Sequence, residues 1–535
     1  MKTLRISFFA FLIVLFSLSS TISAGSIHDF IECLSHFSPN SSSIPKITYT
    51  SHDSSYLSVL NFSIHNLRFT MPSTPKPLVI ITPLYESQIP AIISCSKKHG
   101  MQIRVRSGGH DYEGVSYVSR VPFIILDLIN LRSIDVDLKS KTAWVQAGAT
   151  IGELYYSIAN KSKTLAFPAG VCPSIGVGGH FSGGGYGTLL RKYGLAADNI
   201  VDARMLDVNG KVLNRSSMGK DLFWAIRGGG AASFGVVLAW KVKLVSVPST
   251  VTVFTVRKTL EQNGSNLVHK WQTVANKFPN ELYVRIAITR VKSSIDGKPT
   301  ILASFISLYL GGVDDLIRIM QESFPELGLT KNDTAEMSWI ESILYFFELT
   351  GKPLDILQSR IEPDITYFKI KSDYVEEPIP VSGLDGIWNM FFEDGAEMCR
   401  LVLSPYGGRM DEISTSSIPF PHRAGNLYKI QYLSIWDKAS TTVTRSRIDW
   451  IRRLYSYMEP YVSKNPRAAY LNYRDFDIGT NSQQNTSYEQ ASVWGMKYFK
   501  NNFKKLSMVK TNVDPSNFFW NEQSIPTQDR MIIHM

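Results

Sequence analysis

Three glycine-rich stretches, and the reactive side chains set among them, carry the chemistry open to this sequence. The first is Arg104-Val105-Arg106-Ser107-Gly108-Gly109-His110-Asp111-Tyr112, where a strand runs into paired glycines. Such a turn presents consecutive backbone N–H groups to a pyrophosphate, because glycine lets the chain bend and removes side chains that would block approach. The loop is also basic. A second cluster spans residues 176–187 and contains Gly178, Gly179 and Gly184, and a third is Arg227-Gly228-Gly229-Gly230. Neither fits the strand-to-helix dinucleotide fingerprint with its downstream acidic residue, so a nicotinamide Rossmann domain is disfavoured. Three such loops within about 120 residues, in a chain with 36 glycines, imply an extended cofactor lying against backbone. Between them, Cys172 in Pro168-Ala169-Gly170-Val171-Cys172-Pro173 occupies an irregular loop that leaves a thiol exposed and reactive.

The elements that must position these groups follow from periodicity. Residues 78–81, 103–105 and 123–126 read as strands and residues 86–99 as a helix, a strand-helix-strand unit. Short strands at 142–147, 200–206, 212–213 and 235–245 extend a mixed α+β region that ends near Pro248. From Val251 onward, strands at 251–256, 301–308 and 426–436 alternate with helices at 267–278, 313–323 and 446–458. This predicts one antiparallel sheet with helices on a single face, a substrate half. After Asn465 motif-like sequence returns. The fold class is α+β, with residues 1–24 a signal peptide, 25–72 an N-terminal segment, 73–248 a cofactor domain, 249–464 a substrate domain and 465–535 a segment completing the cofactor domain.

Lys2 and Arg5, the apolar run from Ile6 to Leu18 and the small residues before Gly25 form the layout of a secretory signal peptide. No later stretch approaches the ~20 apolar residues of a membrane helix, so no membrane association is expected. Seven sequons, at Asn40, Asn61, Asn160, Asn214, Asn263, Asn332 and Asn485, agree with a secreted glycoprotein of the cell wall or vacuole. Four cysteines allow three pairings; Cys33 with Cys95 is the economical one, and Cys399 reads as a buried thiol. Lys+Arg 56 against Asp+Glu 46 gives a net charge of +10, but no basic run appears, which argues against nucleic acid. No metal site is expected, and the chain is expected to be a monomer.

The motifs Arg106-Ser107-Gly108-Gly109-His110, Gly170-Val171-Cys172-Pro173, Asn472-Tyr473-Arg474-Asp475, Asp514-Pro515-Ser516-Asn517-Phe518-Phe519 and Asn521-Glu522-Gln523-Ser524-Ile525-Pro526 resemble those of the berberine bridge enzyme-like plant flavoproteins. These belong to the vanillyl-alcohol-oxidase-type superfamily, with its PCMH-type FAD-binding domain. The resemblance runs from about Cys33 to Pro526. It implies FAD tethered twice, through its 8α-methyl by His110 and through C6 by Cys172, with Arg106, Ser107, Gly108, Gly109, Ser174, Gly178, Gly179, Gly184 and Asn472 also holding the cofactor. Two covalent links fix the ring and make it a stronger oxidant.

By the same resemblance Tyr112, Tyr186, Lys429, Gln431 and Tyr473 line the substrate side of the flavin. A tyrosine serves as base only if a cation favours its phenolate. Tyr186 is the preferred base and Lys429 its stabiliser, with Tyr473 and Tyr112 orienting substrate; in cannabinoid-forming relatives the tyrosine matching Tyr473 takes the base role. Gln431 stands where the benzylisoquinoline-cyclising member has a glutamate base, and an amide cannot accept a proton. No histidine occurs between Pro279 and Asp411, where cannabinoid synthases have one. Ile175 borders the space where dioxygen meets reduced flavin; one methylene larger than valine, it predicts slow reaction with oxygen and another acceptor.

The leading expectation is a secreted oxidoreductase that takes hydride from a small alcohol, a monolignol-like allylic alcohol or a carbohydrate. The alternatives are a specialised-metabolite cyclase on the same flavin fold and a binding protein without turnover. His180, His269 and His422 are read as structural.

Overall fold

The computed structural model describes residues 27–38, 41–361 and 365–528. The signal-peptide residues and Asn40 lie outside them. Three sheets carry the architecture, and each one supplies a wall or a loop to the same cavity. In the first, Phe123–Asp127 is flanked in parallel by Val79–Ile81 and Gln102–Arg106, with Thr48–Thr50 antiparallel at one edge. Val79, Ile81, Ile124 and Leu126 are fully buried, as central parallel strands covered on both faces require. Helix Ile89–Lys98 packs on this sheet, and its Cys95 is disulfide-bonded to Cys33. Strand Gln102–Arg106 delivers the first glycine loop at its C-terminal end.

The second sheet is antiparallel, in the order Ile134–Asp137, Thr142–Gln146, Val236–Lys243, Ile200–Leu206, Val212–Leu213. The single strand expected over 235–245 is divided: Leu244 donates its N–H to Lys141, and Val245–Ser246 leaves to pair with Leu165–Ala166.

The third sheet has seven antiparallel strands, ordered Thr334–Met337, Val251–Thr259, Pro299–Tyr309, Leu282–Lys292, Cys399–Pro405, Tyr428–Trp436, Tyr367–Val375. Side chains alternate across a strand with period two. On Leu282–Lys292, the residues Leu282, Val284, Ile286 and Ile288 face an apolar layer, whereas Tyr283, Arg285, Ala287 and Thr289 face the cavity. Helices Gly264–Val274, Val381–Phe391 and Thr441–Tyr457 cover the apolar face with buried Trp271, Trp388 and Trp450. At ~1.5–3 kcal/mol for each fully buried large side chain, this layer fixes the sheet whatever its polar face carries. Helix Trp339–Phe346 closes the cavity from the other side, where Tyr345 and Phe346 line it.

Helices Tyr488–Phe499 and Asn502–Val513 return the chain to the first two sheets. Lys510 Nζ donates to the Ser233 carbonyl at 2.6 Å, and buried Arg104 donates to both oxygens of Glu522 at 2.8 and 2.7 Å. Among the described residues no helix is long and apolar enough to cross a membrane.

Candidate active site

A cavity of about 1100 Å³ lies between the glycine loops and the polar face of the seven-stranded sheet. Two of the loops touch: a Cβ on Gly108 would stand 2.3 Å from the Gly176 nitrogen, so only glycine lets the loops meet. Gly179 is the converse. It lines the cavity, yet a Cβ there would meet no protein atom within 4 Å, so the empty space beside it is available to a ligand. Arg104 also lines the cavity, and its buried Nε and Nη1 have no hydrogen-bond partner among the described residues. An open backbone cradle with an unpaired guanidinium edge suits an anionic, extended cofactor.

The two residues expected as tethers converge. Ser174 Oγ lies 3.0 Å from His110 Nε2 and 3.3 Å from Cys172 Sγ, so one hydroxyl bridges imidazole and thiol. His65 stacks on His110 with centroids 3.8 Å apart and planes at 20°. Its Nε2 lies 2.9 Å from the Gly108 carbonyl; as that oxygen can only accept, this nitrogen carries the proton. Ile175 lines the cavity beside the thiol. Ser107 Oγ donates to the Ala147 carbonyl at 2.5 Å, anchoring the first loop. Asn472 donates to the His180 carbonyl and to Tyr470 Oη, both at 2.9 Å, and so holds protein to protein at the cavity wall.

Arg106 and Gly184, both expected to hold the cofactor, are not among the residues that line the cavity. The Arg106 guanidinium is fully buried against Asp127 and the carbonyls of Val59 and Leu60, so its charge is consumed inside the first sheet and does not line the cavity. Gly184, with φ +120°, turns toward Phe420, Leu195 and Tyr470 rather than the cavity. It shapes the turn before Tyr186.

A cluster of phenols lines the same cavity. The Tyr186 and Tyr473 hydroxyls are 2.5 Å apart. Tyr112 stacks on Tyr473, with centroids 5.5 Å apart and planes at 25°, and its hydroxyl accepts from Gln431 Nε2 at 3.0 Å. Lys429 lies behind them, 1 % exposed and outside the cavity lining. Its Nζ sits over three ring faces, 3.4 Å from the centroid of Tyr186, 4.0 Å from Tyr470 and 4.2 Å from Tyr473, and has no hydrogen-bond partner among the described residues. The expected support for a Tyr186 phenolate is therefore a cation on the π face, not an ion pair at the hydroxyl.

Electrostatics pull these groups in opposite directions. Burial raises the Tyr186 pKa, while hydrogen bonds from Tyr473 and Ser404 and the Arg285 charge draw it back. Burial, reinforced by neighbouring phenols, holds Tyr473 well above the ordinary tyrosine value. Burial depresses Lys429 well below the usual lysine value. His180 is pushed down to about 4 by burial and by Lys429; its Nε2 accepts from the Gly170 N–H at 3.0 Å, a structural role. His269 and His422 are bonded to the Ile379 and Tyr498 carbonyls. Cys399 is buried, which raises its pKa to about 12, far from a nucleophile's.

His65, Tyr470, Tyr283 and Arg285 are part of this site and were not found in the sequence. Tyr470 lies three residues before Tyr473 in the same motif-bearing stretch, a spacing that could have pointed to it. Arg285 needed the strand Leu282–Lys292, whose alternation puts it on the cavity face, opposite Ile306 in register.

The FAD binding domain profile matches residues 77–216, and the berberine and berberine-like profile matches residues 469–526. Tetrahydroberberine oxidase of Berberis wilsoniae is 52 % identical over 532 residues, covering 98 % of this chain and 99 % of that one. The solved structure of berberine bridge enzyme-like 28 from Arabidopsis thaliana is 48 % identical, with a TM-score of 0.87 over 94 % of this chain and 99 % of that one. Wild-type Phl p 4.0202, described as a glucose dehydrogenase, is 44 % identical with a TM-score of 0.88, covering 93 % of this chain and 99 % of that one; an isoleucine-to-valine variant of Phl p 4 is described as a glucose oxidase.

Proposed function

Because the chain belongs to the berberine bridge enzyme-like family of FAD-dependent oxidoreductases, we propose that it takes hydride from a small alcohol, a monolignol-like allylic alcohol or a carbohydrate, with Tyr186 as base. FAD, when bound, supplies the two-electron acceptor. His110 and Cys172 tether it, and their shared contact with Ser174 supports a joint role on one ligand. The backbone at Gly108, Gly176 and Gly179 and the free edge of Arg104 hold it.

The observation that carries the reading is the short Tyr186–Tyr473 contact beneath the Lys429 cation, in the same cavity as His110 and Cys172. Tyr186 receives the alcohol proton, and its negative charge is stabilised by the hydrogen bond from Tyr473, by Lys429 on its ring face and by Arg285. Tyr473 and Tyr112 orient the substrate, with Gln431 fixing the Tyr112 hydroxyl. Ile175, beside the thiol, restricts dioxygen, so an acceptor other than oxygen serves turnover. The chain works as a secreted, glycosylated monomer; exposure of the six described sequon asparagines supports glycosylation.

A second reading takes an alkaloid of the tetrahydroberberine kind as reductant, favoured by the relative so named. One experiment tests both. Protein precipitated with acid should stay yellow, and an anaerobic panel of alcohols, sugars, phenolics and tetrahydroberberine should bleach the flavin with an alcohol or sugar. Bleaching by the alkaloid alone installs the second reading, and a colourless precipitate removes the tethers.

A further inference from the structure

Around the stacked pair Tyr112 and Tyr473 is a set of buried charges that the proton and hydride chemistry does not use. Residues 111–113 and 473–475 lie far apart in the chain, yet they are joined by two direct contacts and by a shared lysine. Arg474 Nε donates to Asp111 Oδ2 at 2.7 Å. The next pair in each segment is Tyr112 on Tyr473. Beyond it, Lys369 donates to Glu113 and, at 2.6 Å, to Asp475, while Lys371 donates to Asp475 and, at 3.0 Å, to Asp477. The side chains of Lys369, Lys371, Glu113 and Asp475 are 2–4 % exposed. In sequence, Tyr112 is flanked on both sides by ion-paired carboxylates, Asp111 and Glu113, and Tyr473 is followed directly by the ion-paired Arg474 and Asp475.

These pairs also set the backbone that carries the stack. Asp111 Oδ1 accepts from the N–H groups of Glu113 and Val115 at 3.0 and 3.1 Å, so the carboxylate that meets Arg474 also shapes the turn after His110. Glu113 accepts from the Phe476 N–H at 3.3 Å. Gln523 Nε2 donates to the Asp475 carbonyl at 2.9 Å. Burial opposes the charges on Arg474 and Lys369, but Asp111 on the one hand, and Glu113, Asp475 and Asp477 on the other, hold both pKa values above the ordinary ones. A buried, multiply bonded ion pair resists small displacements, because any shift uncovers a charge in a low dielectric.

We infer that Arg474, through Asp111, and Lys369, through Glu113 and Asp475, are positioning residues that lock Tyr473 to the loop bearing His110 and Tyr112. The lock keeps the Tyr473 hydroxyl on Tyr186. It sets the distance between the group that takes the proton and the loop that carries the electron acceptor, and near-attack geometry is sensitive to shifts of about 1 Å. This rests on the reading of Tyr186 as base.

The test uses full-length holoprotein with Asp111→Asn, an isosteric loss of charge, and Arg474→Lys, which keeps the charge and loses the Nε donor. With a reductant from the panel, flavin content and substrate affinity should stay within about twofold, while anaerobic flavin reduction at neutral pH slows ~10- to 100-fold and the alkaline limb of its pH profile moves upward. Arg474→Lys should be the milder variant, and the double variant no worse than Asp111→Asn, because both break one contact. Unchanged reduction and an unchanged limb, with only a lower melting temperature, would overturn the inference. An ultraviolet tyrosinate titration needs no reductant: the ionisation missing in Tyr186→Phe should move up in Asp111→Asn, and no movement overturns the lock. Failure of wild type to bleach with any reductant would instead count against the proposed function.

Discussion

The hydroxyl oxygens of Tyr186 and Tyr473 are 2.5 Å apart, close enough that one proton is held between two phenols. In such a pair the phenol nearer the cation carries the negative charge more readily, and Lys429 Nζ is nearer the ring of Tyr186 than that of Tyr473. Tyr186→Phe should therefore slow hydride removal by ~10²-fold or more, with Tyr473→Phe costing less, since the general base contributes ~10²–10⁴-fold. Stopped-flow reduction under anaerobic conditions measures both. A rate unchanged in Tyr186→Phe would give the base role to Tyr473.

Lys429 links the site to pH. Burial depresses its pKa, so the folded protein binds fewer protons here than the unfolded chain from that depressed value up to the ordinary ~10.4. Stability contributed by this site rises with pH across that window, by at most ~1.4 kcal/mol per pH unit, and is lost again as pH falls through the depressed pKa. Lys429→Met should flatten the rise in melting temperature between neutral and alkaline pH. Identical melting profiles in wild type and variant would show that the amine takes no part in the pH dependence of stability.

The glycine loops that line the cavity are legible in the sequence, and the phenol cluster is only partly so. Gly108, His110 and Cys172 stand in loops whose composition is set by close backbone approach, a constraint that leaves few other residue choices. Arg106 misleads because a basic residue at a strand end looks the same whether it faces a ligand or, as here, Asp127. Leu282–Lys292 and Tyr367–Val375 go unread because their cavity-side and inter-domain residues, Arg285, Lys369 and Lys371, interrupt the apolar pattern on which strand reading rests. Cysteine order alone favours Cys33 with Cys95, and the structure has that bond. Whether Lys429 meets the hydroxyl or the ring of Tyr186 depends on side-chain torsions, which no spacing rule encodes.

The two proposed tethers are tested separately by substitution. His110→Ala and Cys172→Ala should each retain FAD through the remaining bond, leaving one flavin-bearing peptide in a digest where wild type has two. The single-tether forms should be weaker oxidants, because each covalent bond withdraws electron density from the ring. Peptide mass spectrometry and a redox titration report the two effects independently. A variant that keeps both flavopeptides would refute the assignment of its residue.

Ile175 gives the last prediction. It lines the cavity beside Cys172, with its own N–H bonded to the Cys172 carbonyl at 3.3 Å, so its side chain is held near the same end of the cofactor site. In a close-packed wall one methylene decides whether a molecule the size of dioxygen fits, and removing it costs the fold only ~0.5–1.5 kcal/mol. Ile175→Val should thus fold, bind FAD and be reduced by substrate as wild type is, while reoxidation in air accelerates by at least about tenfold, equivalent to ~1.4 kcal/mol off that barrier. Stopped-flow mixing of reduced protein with aerated buffer distinguishes the cases. If wild type already reacts fast with air and the variant no faster, the isoleucine does not gate oxygen, and the electron acceptor in turnover is dioxygen itself.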